Sequence, residues 1–266
     1  MATPAEAISL AIKEDRHNPK LHVALARNEN EIKACQRLRY QIFAEEMGAD
    51  LKPEQLADDC GFQHEGLDID CYDQHSKHLL VRDTRSNAIV GTTRLISSTP
   101  QHKPPVEFYS QSEFDMGNVL KLPGRFMEVG RTCIHADYRN GSTIAVLWQG
   151  LARMMVMYDV DYLIGCASIP LDDGGANAAA IMKRIREKYL AAAELRVIPH
   201  ITLPQPTTTA VGALNMPSLL KAYLRLGATI CGEPYWDEKF HVADVFVLLD
   251  RNRLAGRYAK HFVQNG

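Results

Sequence analysis

The sequence predicts one α/β domain built around a mixed sheet. Three observations carry that prediction. Strand-like apolar runs alternate with helical spacing along the chain. The centre reads strand, helix, strand between residues 127 and 168, a crossover that joins parallel strands. The last strong pattern, "VADVFVLL" (242–249), is apolar enough for a core strand.

Bulk properties agree. At 266 residues, with 46% apolar and 23% charged side chains, the chain can bury a sizeable core. A net charge of −2 excludes a nucleic-acid binder that relies on overall basicity. No signal peptide is recognisable, and no apolar run reaches the ~18–20 residues that span a bilayer. Six scattered cysteines suggest free thiols in a reducing compartment. The expected location is the cytoplasm, with or without peripheral contact at the inner membrane.

The elements follow in order. Residues 1–20 read as a polar appendage, and 21–266 as the single domain with its C-terminal extension. "LHVALAR" (21–27) predicts the first strand. Ile32, Cys35, Leu38, Ile42 and Phe43 recur at helical spacing, predicting a helix over 29–47 that stops at Gly48. Residues 49–76 form a long acidic loop of the kind that is usually functional inside a compact domain. "HLLVRD" and "AIVGTTRLI", separated by Thr84-Arg85-Ser86-Asn87, predict a hairpin. Residues 98–125 read as a second ordered loop. The central strands are 127–135 and 162–168, with a helix over 143–158 between them. A helix over 177–193 and a Pro- and Thr-rich connection (199–217) follow. The end predicts a helix over 217–226 stopped by Gly227, a short strand at 228–231 and the final strand.

The turn between central strand and helix, Arg139-Asn140-Gly141-Ser142-Thr143, has the chemistry to hold an anion. A helix N-terminus offers unpaired N–H groups and the positive end of the helix dipole. Gly141 allows close backbone approach, Ser142 or Thr143 can cap the helix, and Arg139 adds a positive charge. An ordinary capped turn has the same residues. A Walker loop and a Rossmann fingerprint are both excluded, because their lysine and spaced glycines are missing.

This strand–basic turn–helix–strand order resembles the acyl-cofactor site of the GNAT acyltransferase superfamily. There an Arg/Gln-x-x-Gly-x-Gly/Ala loop binds the pyrophosphate of coenzyme A. Here Gly141 is the only glycine and Arg139 sits one position too close. The departure suits a donor with one phosphate, the phosphopantetheine arm of acyl carrier protein (ACP), better than acyl-CoA; no other cofactor is implied. "LRYQIFAEEMGAD" with "DIDCYD" is similar to the amino-terminal pattern of acyl-homoserine-lactone synthases. That pattern falls on Arg39, Phe43, Asp70 and Asp73, and implies roles for Arg94, Glu128 and Arg131. "PSLLKAYLRLGATICGEPYWDEKF" with the final strand resembles ornithine N-acyltransferases of ornithine-lipid synthesis. The resemblance implies a GNAT-like, mostly antiparallel central sheet with one parallel strand pair and flanking helices. It also implies an N-acyltransferase that moves a (3-hydroxy)acyl chain from ACP to the α-amine of ornithine.

Residue roles follow from that chemistry. An amine mostly protonated at pH 7 needs a base, and Glu128 at the head of the central strand is the candidate. The same carboxylate could instead pair with Arg131 or Arg94. Asp70, Asp73 and Arg94 either bind a dibasic amino acid or order the acidic loop through ion pairs. Lys183, Arg184, Arg186 and Lys188 in "MKRIREKY" offer a basic face to acidic ACP, or form a solvated charge run.

Rival readings remain open at this point. Cys60, His64, Cys71, His75 and His78 could hold zinc, although their spacing is not that of compact structural sites. No metal is expected. Cys133 and His135 share a strand face and could form a nucleophile–base pair. The same chemistry with glycine, glutamine or tyrosine as acceptor, a lactone synthase, or a non-catalytic acyl- or ACP-binding protein also fits parts of the pattern.

Overall fold

The computed structural model describes residues 20–49, 66–98, 107–206 and 214–253. The expected appendage, most of the acidic loop and the tip of the Pro/Thr-rich connection lie outside them. The strands are β1 (Leu21–Leu25), β2 (Lys77–Asp83), β3 (Ile89–Ser97), β4 (Phe114–Asp115), β5 (Phe126–Ile134), β6 (Tyr162–Pro170), β7 (Ile198–Pro199), β8 (Thr229–Ile230), β9 (Tyr235–Asp237) and β10 (Val242–Asp250). The helices are α1 (Glu29–Tyr40), α2 (Gly141–Met157), α3 (Ala176–Lys188) and α4 (Ser218–Leu226). The fold is mixed α/β, with a mostly antiparallel sheet, one parallel strand pair and flanking helices, as expected. Its residues divide into two compact units, one formed up to residue 97 and by 127–159, the other by 98–126 and from 160 onward.

In the first unit β1, β2, β3 and β5 pair antiparallel in that order. Period-two alternation sorts their side chains onto two faces. Cys133 lies opposite Thr92 and packs against Leu38 and Ile42, so this face carries α1. Leu79 lies opposite Thr93, on the other face, and meets α2 at Gly150. The hairpin turn is held by Asp83, whose Oδ1 accepts from Arg85 N at 2.7 Å and Ser86 N at 3.3 Å, and whose Oδ2 accepts from the Tyr138 hydroxyl at 2.7 Å.

In the second unit β10 pairs antiparallel with β6 along nine residues of each, and with β8 and β9. The helix α4 packs against β6 and β10. Gly227, at φ 100°, ends it in the left-handed conformation that glycine adopts without steric cost. Phe114 packs edge-on against Phe246, with ring centroids 5.8 Å apart, and the sides of this core are closed by Phe126 stacked on Tyr162 at 5.1 Å.

Several boundaries differ from expectation, each for a local reason. The first helix loses α-helical hydrogen bonding at Gln41 and continues as a π-helical turn to Glu46, with Met47 N donating to Ile42 O. The helix α2 begins at Gly141 instead of 143, because Asn140 caps it. The helix α3 stops at Lys188 instead of 193. Leu190 bridges to Ile230, and Ala191 N donates to Ile230 O, so tertiary pairing overrides the helix propensity of the alanines. The span 98–125 contains a 3₁₀ turn (Tyr109–Ser112) and β4, which pairs with β7. Strand β9 has three residues, too few for a periodic signal.

Gly150 tests the α2 packing. A Cβ there would overlap Val23 Cγ2 and lie 2.9 Å from Leu79 Cδ2. Alanine would gain ~1 kcal/mol of helix propensity, against an overpacking cost of ~1–3 kcal/mol. The valine methyl is on a stiff strand residue, so the cost should win. Gly150→Ala is expected to lower the urea midpoint by the equivalent of ~1 kcal/mol; a raised midpoint would show that the helix is free to lift.

Candidate functional site

The first unit contains a buried network of alternating charges. Arg39, on the last turn of α1, is fully buried. Its Nε donates to Asp68 Oδ2 at 2.7 Å, while Nη1 and Nη2 donate to Asp73 Oδ1 and Oδ2 at 2.7 and 3.2 Å. Arg94, on β3 and also buried, donates to Asp70 through Nη1, lies 3.5 Å from Asp73 Oδ1, and stands 5.5 Å from the Tyr72 ring centre. Arg131 reaches Asp68 and Asp70, each at 3.4 Å.

The aspartates also shape their own backbone. Asp70 caps the 3₁₀ turn Cys71–His75 by accepting from Tyr72 N, and Asp73 Oδ2 accepts from Asp70 N. Of the two roles open to Asp70 and Asp73, their partners are those of loop-ordering ion pairs. Asp68, two residues earlier in the same acidic stretch, completes the set and was not singled out by the sequence pattern.

Burial opposes charge in this network, and the partners decide the outcome. Desolvation raises the Asp73 carboxyl, but the Arg39 charge and hydrogen bonds, with Arg94 behind them, bring it down to about 2. Asp68 is lowered in the same way. His78, beside them on β2, goes the other way. Burial lowers it to about 4, with Asp73 opposing and Arg39 and Arg94 assisting. Its Nε2 lies 3.5 Å from Asp73 Oδ1, and neither ring nitrogen makes a hydrogen bond.

Strand β5 carries Glu128 and Arg131. Glu128 is 2% exposed and lies opposite Ile96. Between Thr92↔Cys133 and Arg94↔Gly130, β5 takes three steps where β3 takes two, which is a β-bulge. Arg131 sits in it at φ 50°, an uncommon conformation for a residue with a Cβ. The bulge is pinned by Thr93 Oγ1, which bonds Thr132 Oγ1 at 2.7 Å and Gly130 O at 3.1 Å. Nothing in the sequence announces it, since no glycine stands at the positive φ.

The turn before α2 is closed by its own side chain. Asn140, and not Ser142 or Thr143, is the cap. Its Oδ1 accepts from the amides of Ser142 and Thr143, both at 3.2 Å, and from both hydroxyls. Arg139 grips both oxygens of Glu46 and donates to Ile134 O. A Cβ on Gly141 would meet open space. A phosphate on these amides must therefore displace Asn140. The cap is worth about 1 kcal/mol and a hydrogen bond to a charged acceptor ~1.5–3 kcal/mol, so the exchange is favourable. Phe43, half-buried on the π-helical turn, packs against Leu38, Ile42 and Cys133.

On α3, Lys183, Arg184 and Lys188 are exposed, while Arg186 is tied to Glu233 through bonds of 2.9 and 2.6 Å. The rival sites fare differently. Cys133 is buried against α1 residues and its thiol is pushed far up by burial, which makes it a poor nucleophile. His135 turns its Nδ1 back to Asp137 N. Cys71, His75 and His78 form no metal-sized cluster among the described residues, and Cys60 and His64 lie outside them.

Comparison with known proteins bears on the family and the fold. Residues 38–149 match the family model described as an acetyltransferase (GNAT) domain. An L-ornithine N(alpha)-acyltransferase of Agrobacterium fabrum is 37% identical over 91% of this chain and 85% of its own length. Its namesake from Rhizobium meliloti is 34% identical, over 91% and 84%. Among solved structures, FeeM, an N-acyl amino acid synthase from uncultured soil microbes, superposes with a TM-score of 0.51 at 12% identity, over 90% of this chain and 96% of its own. That likeness is one of fold.

The shifts of His78 and Asp73 give stability a signed pH dependence. A buried histidine lowered from 6.5 to about 4 stays neutral while the unfolded chain takes up a proton. Its contribution is complete above pH 6.5 and declines as pH falls towards 4, by up to about 1.4 kcal/mol per pH unit. Asp73 adds a second decline between 3.8 and about 2. Urea unfolding across this range should show His78→Gln losing the upper decline and keeping the lower. Parallel profiles for variant and parent would contradict the assignment.

Proposed function

We propose an activity from the premise that this chain belongs to the family of L-ornithine N(alpha)-acyltransferases, within the GNAT superfamily. It transfers a (3-hydroxy)acyl chain from ACP to the α-amine of ornithine, releasing lyso-ornithine lipid and the free pantetheine thiol. The observation that carries this reading is the match at 37% identity over nine-tenths of the chain.

The chemistry is derived from the residues. Ornithine's α-amine is mostly protonated at pH 7. Glu128 accepts the proton, directly or through a water, as the nitrogen attacks the thioester carbonyl. The carbon–nitrogen bond forms and the carbonyl oxygen takes up negative charge. Backbone N–H groups of β5 steady that oxyanion, and its collapse expels the thiolate, which takes up the second proton that the nitrogen loses as the amide forms. The β-bulge supports this role, because it bends the strand at Arg131, just beyond the regularly paired segment that carries Glu128. Asp68, Asp70 and Asp73 hold Arg39, Arg94 and Arg131 in place and serve the site by fixing the loop.

The donor phosphate sits at Arg139–Thr143, displacing the Asn140 side chain, and the single glycine favours one phosphate over a pyrophosphate. The exposed Lys183, Arg184 and Lys188 face acidic ACP, and Arg186 joins them if it leaves Glu233. No helix among the described residues is long and apolar enough to cross a membrane.

Two measurements check this reading. Glu128→Gln should keep its urea midpoint and lose ~10²–10⁴ in kcat with 3-hydroxyacyl-ACP and ornithine. Near-normal kcat would remove Glu128 from the mechanism. Reversing Lys183 and Arg184 to Glu should raise KM for acyl-ACP and flatten its salt dependence, with acyl-pantetheine turnover unchanged. Equal effects on both donors would place the docking face elsewhere.

A further inference from the structure

The second unit holds a cluster that the proposed chemistry does not use. Glu113 follows the 3₁₀ turn Tyr109–Ser112, Asp237 ends β9, and Asp244 is the third residue of β10. The register that sets Val242 against Asp237 and Asp244 against Tyr235 keeps the two aspartates close. All three are buried, with exposures of 3%, 7% and 4%. One carboxylate oxygen from each lies within 4.8 Å of the other two. The surroundings are apolar: Phe114, next to Glu113, packs on Phe246 and lies 6.0 Å from the Tyr235 ring.

The protein's own donors hold parts of this cluster. Asp237 Oδ1 accepts from Lys239 N at 2.9 Å and Phe240 N at 3.1 Å, and Asp244 Oδ1 from Ser168 Oγ at 2.6 Å. Tyr109 and Cys166 hydrogen-bond to the Glu113 carboxyl. Yet Glu113 Oε2 is buried with no hydrogen-bond partner. The groups that act most strongly on Glu113 are two carboxylates, a thiol and a phenol, with no cationic side chain among them. An orphaned carboxylate oxygen at a cluster of acids in an apolar wall is costly unless a proton or a cation joins it. A proton on Glu113 would relieve its repulsion and turn the carboxyl into a donor towards Asp237 or Asp244, so direct binding decides between a proton and a cation.

We propose that Glu113, Asp237 and Asp244 form a binding site for one small cation, held by three carboxylate oxygens. Two sources share that chemistry. One is a hard divalent ion such as Mn²⁺, Mg²⁺ or Ca²⁺, which takes oxygen ligands. Three carboxylate oxygens favour such hard ions over soft ones, which prefer sulfur ligands. The other is a primary ammonium, whose three N–H groups match three acceptors. The ornithine side chain carries one, and only this second source rests on the acceptor proposed above.

Direct binding separates the sources without using turnover. The purified full chain is titrated by calorimetry with Mn²⁺ or Ca²⁺ alone, then with ornithine or putrescine alone. Glu113→Gln and Asp244→Asn are titrated in parallel, two variants being used in case one fails to fold. Binding of a divalent ion weakened at least roughly tenfold in the variants identifies a metal site. Amine binding weakened to the same degree identifies an ammonium site. Absence of binding in both arms, or binding that both variants retain, overturns the proposal. Failure of the amine arm with success of the metal arm leaves the cation site intact and bears only on the acceptor.

Discussion

The bidentate grip of Arg39 on Asp73 is the constraint around which the first unit is organised. It joins the end of α1 to the turn before β2, and through Asp68 and Asp70 it draws in Arg94 and Arg131. Elements far apart in the chain thus share one charge lattice. Such a lattice is a poor source of net stability, since desolvation absorbs most of the Coulombic gain. Its value is geometric. Removing one member strands a buried charge, at a cost of about 3–5 kcal/mol, so the whole set is held or lost together.

That rigidity bears on β5. Arg131 occupies a bulge at positive φ, a conformation of order 1–3 kcal/mol above the ordinary strand. Its contacts to Asp68 and Asp70 give the strain something to hold against. Glu128, three residues earlier, projects from the same bent strand, inside a buried segment where a carboxylate's surroundings are fixed by the protein. The order of dependence runs from the acidic loop to the arginines, from the arginines to the bulge, and from the bulge to the reacting group.

Much of this was legible in the residues, and the remainder fails for identifiable reasons. Periodicity located the hairpin, the central strand–helix–strand run and the final strand, because their patterns are long. The motif "LRYQIF" with "DIDCYD" brought Arg39, Asp70 and Asp73 together, but their partners could be assigned only in three dimensions. The π-helical turn and the bulge left no trace, because no proline interrupts the one and no glycine stands at the positive φ of the other. Asn140 caps α2 although Ser142 and Thr143 are equally good capping residue types, because only its side chain precedes the first turn. The cluster of Glu113, Asp237 and Asp244 was invisible because Glu113 lies more than a hundred residues from the two aspartates, which themselves come close only when β9 and β10 pair.

The central claim concerns the acceptor amine and the acyl donor together. Its most direct test supplies the purified protein with 3-hydroxyacyl-ACP and an equimolar mixture of ornithine, glycine, glutamine and tyrosine, and reads the products by tandem mass spectrometry. The account requires N-acylornithine as the main product, with the acyl group on the α-nitrogen. A dominant acyl derivative of another amino acid, or product formed from acyl-CoA but not from acyl-ACP, would contradict it.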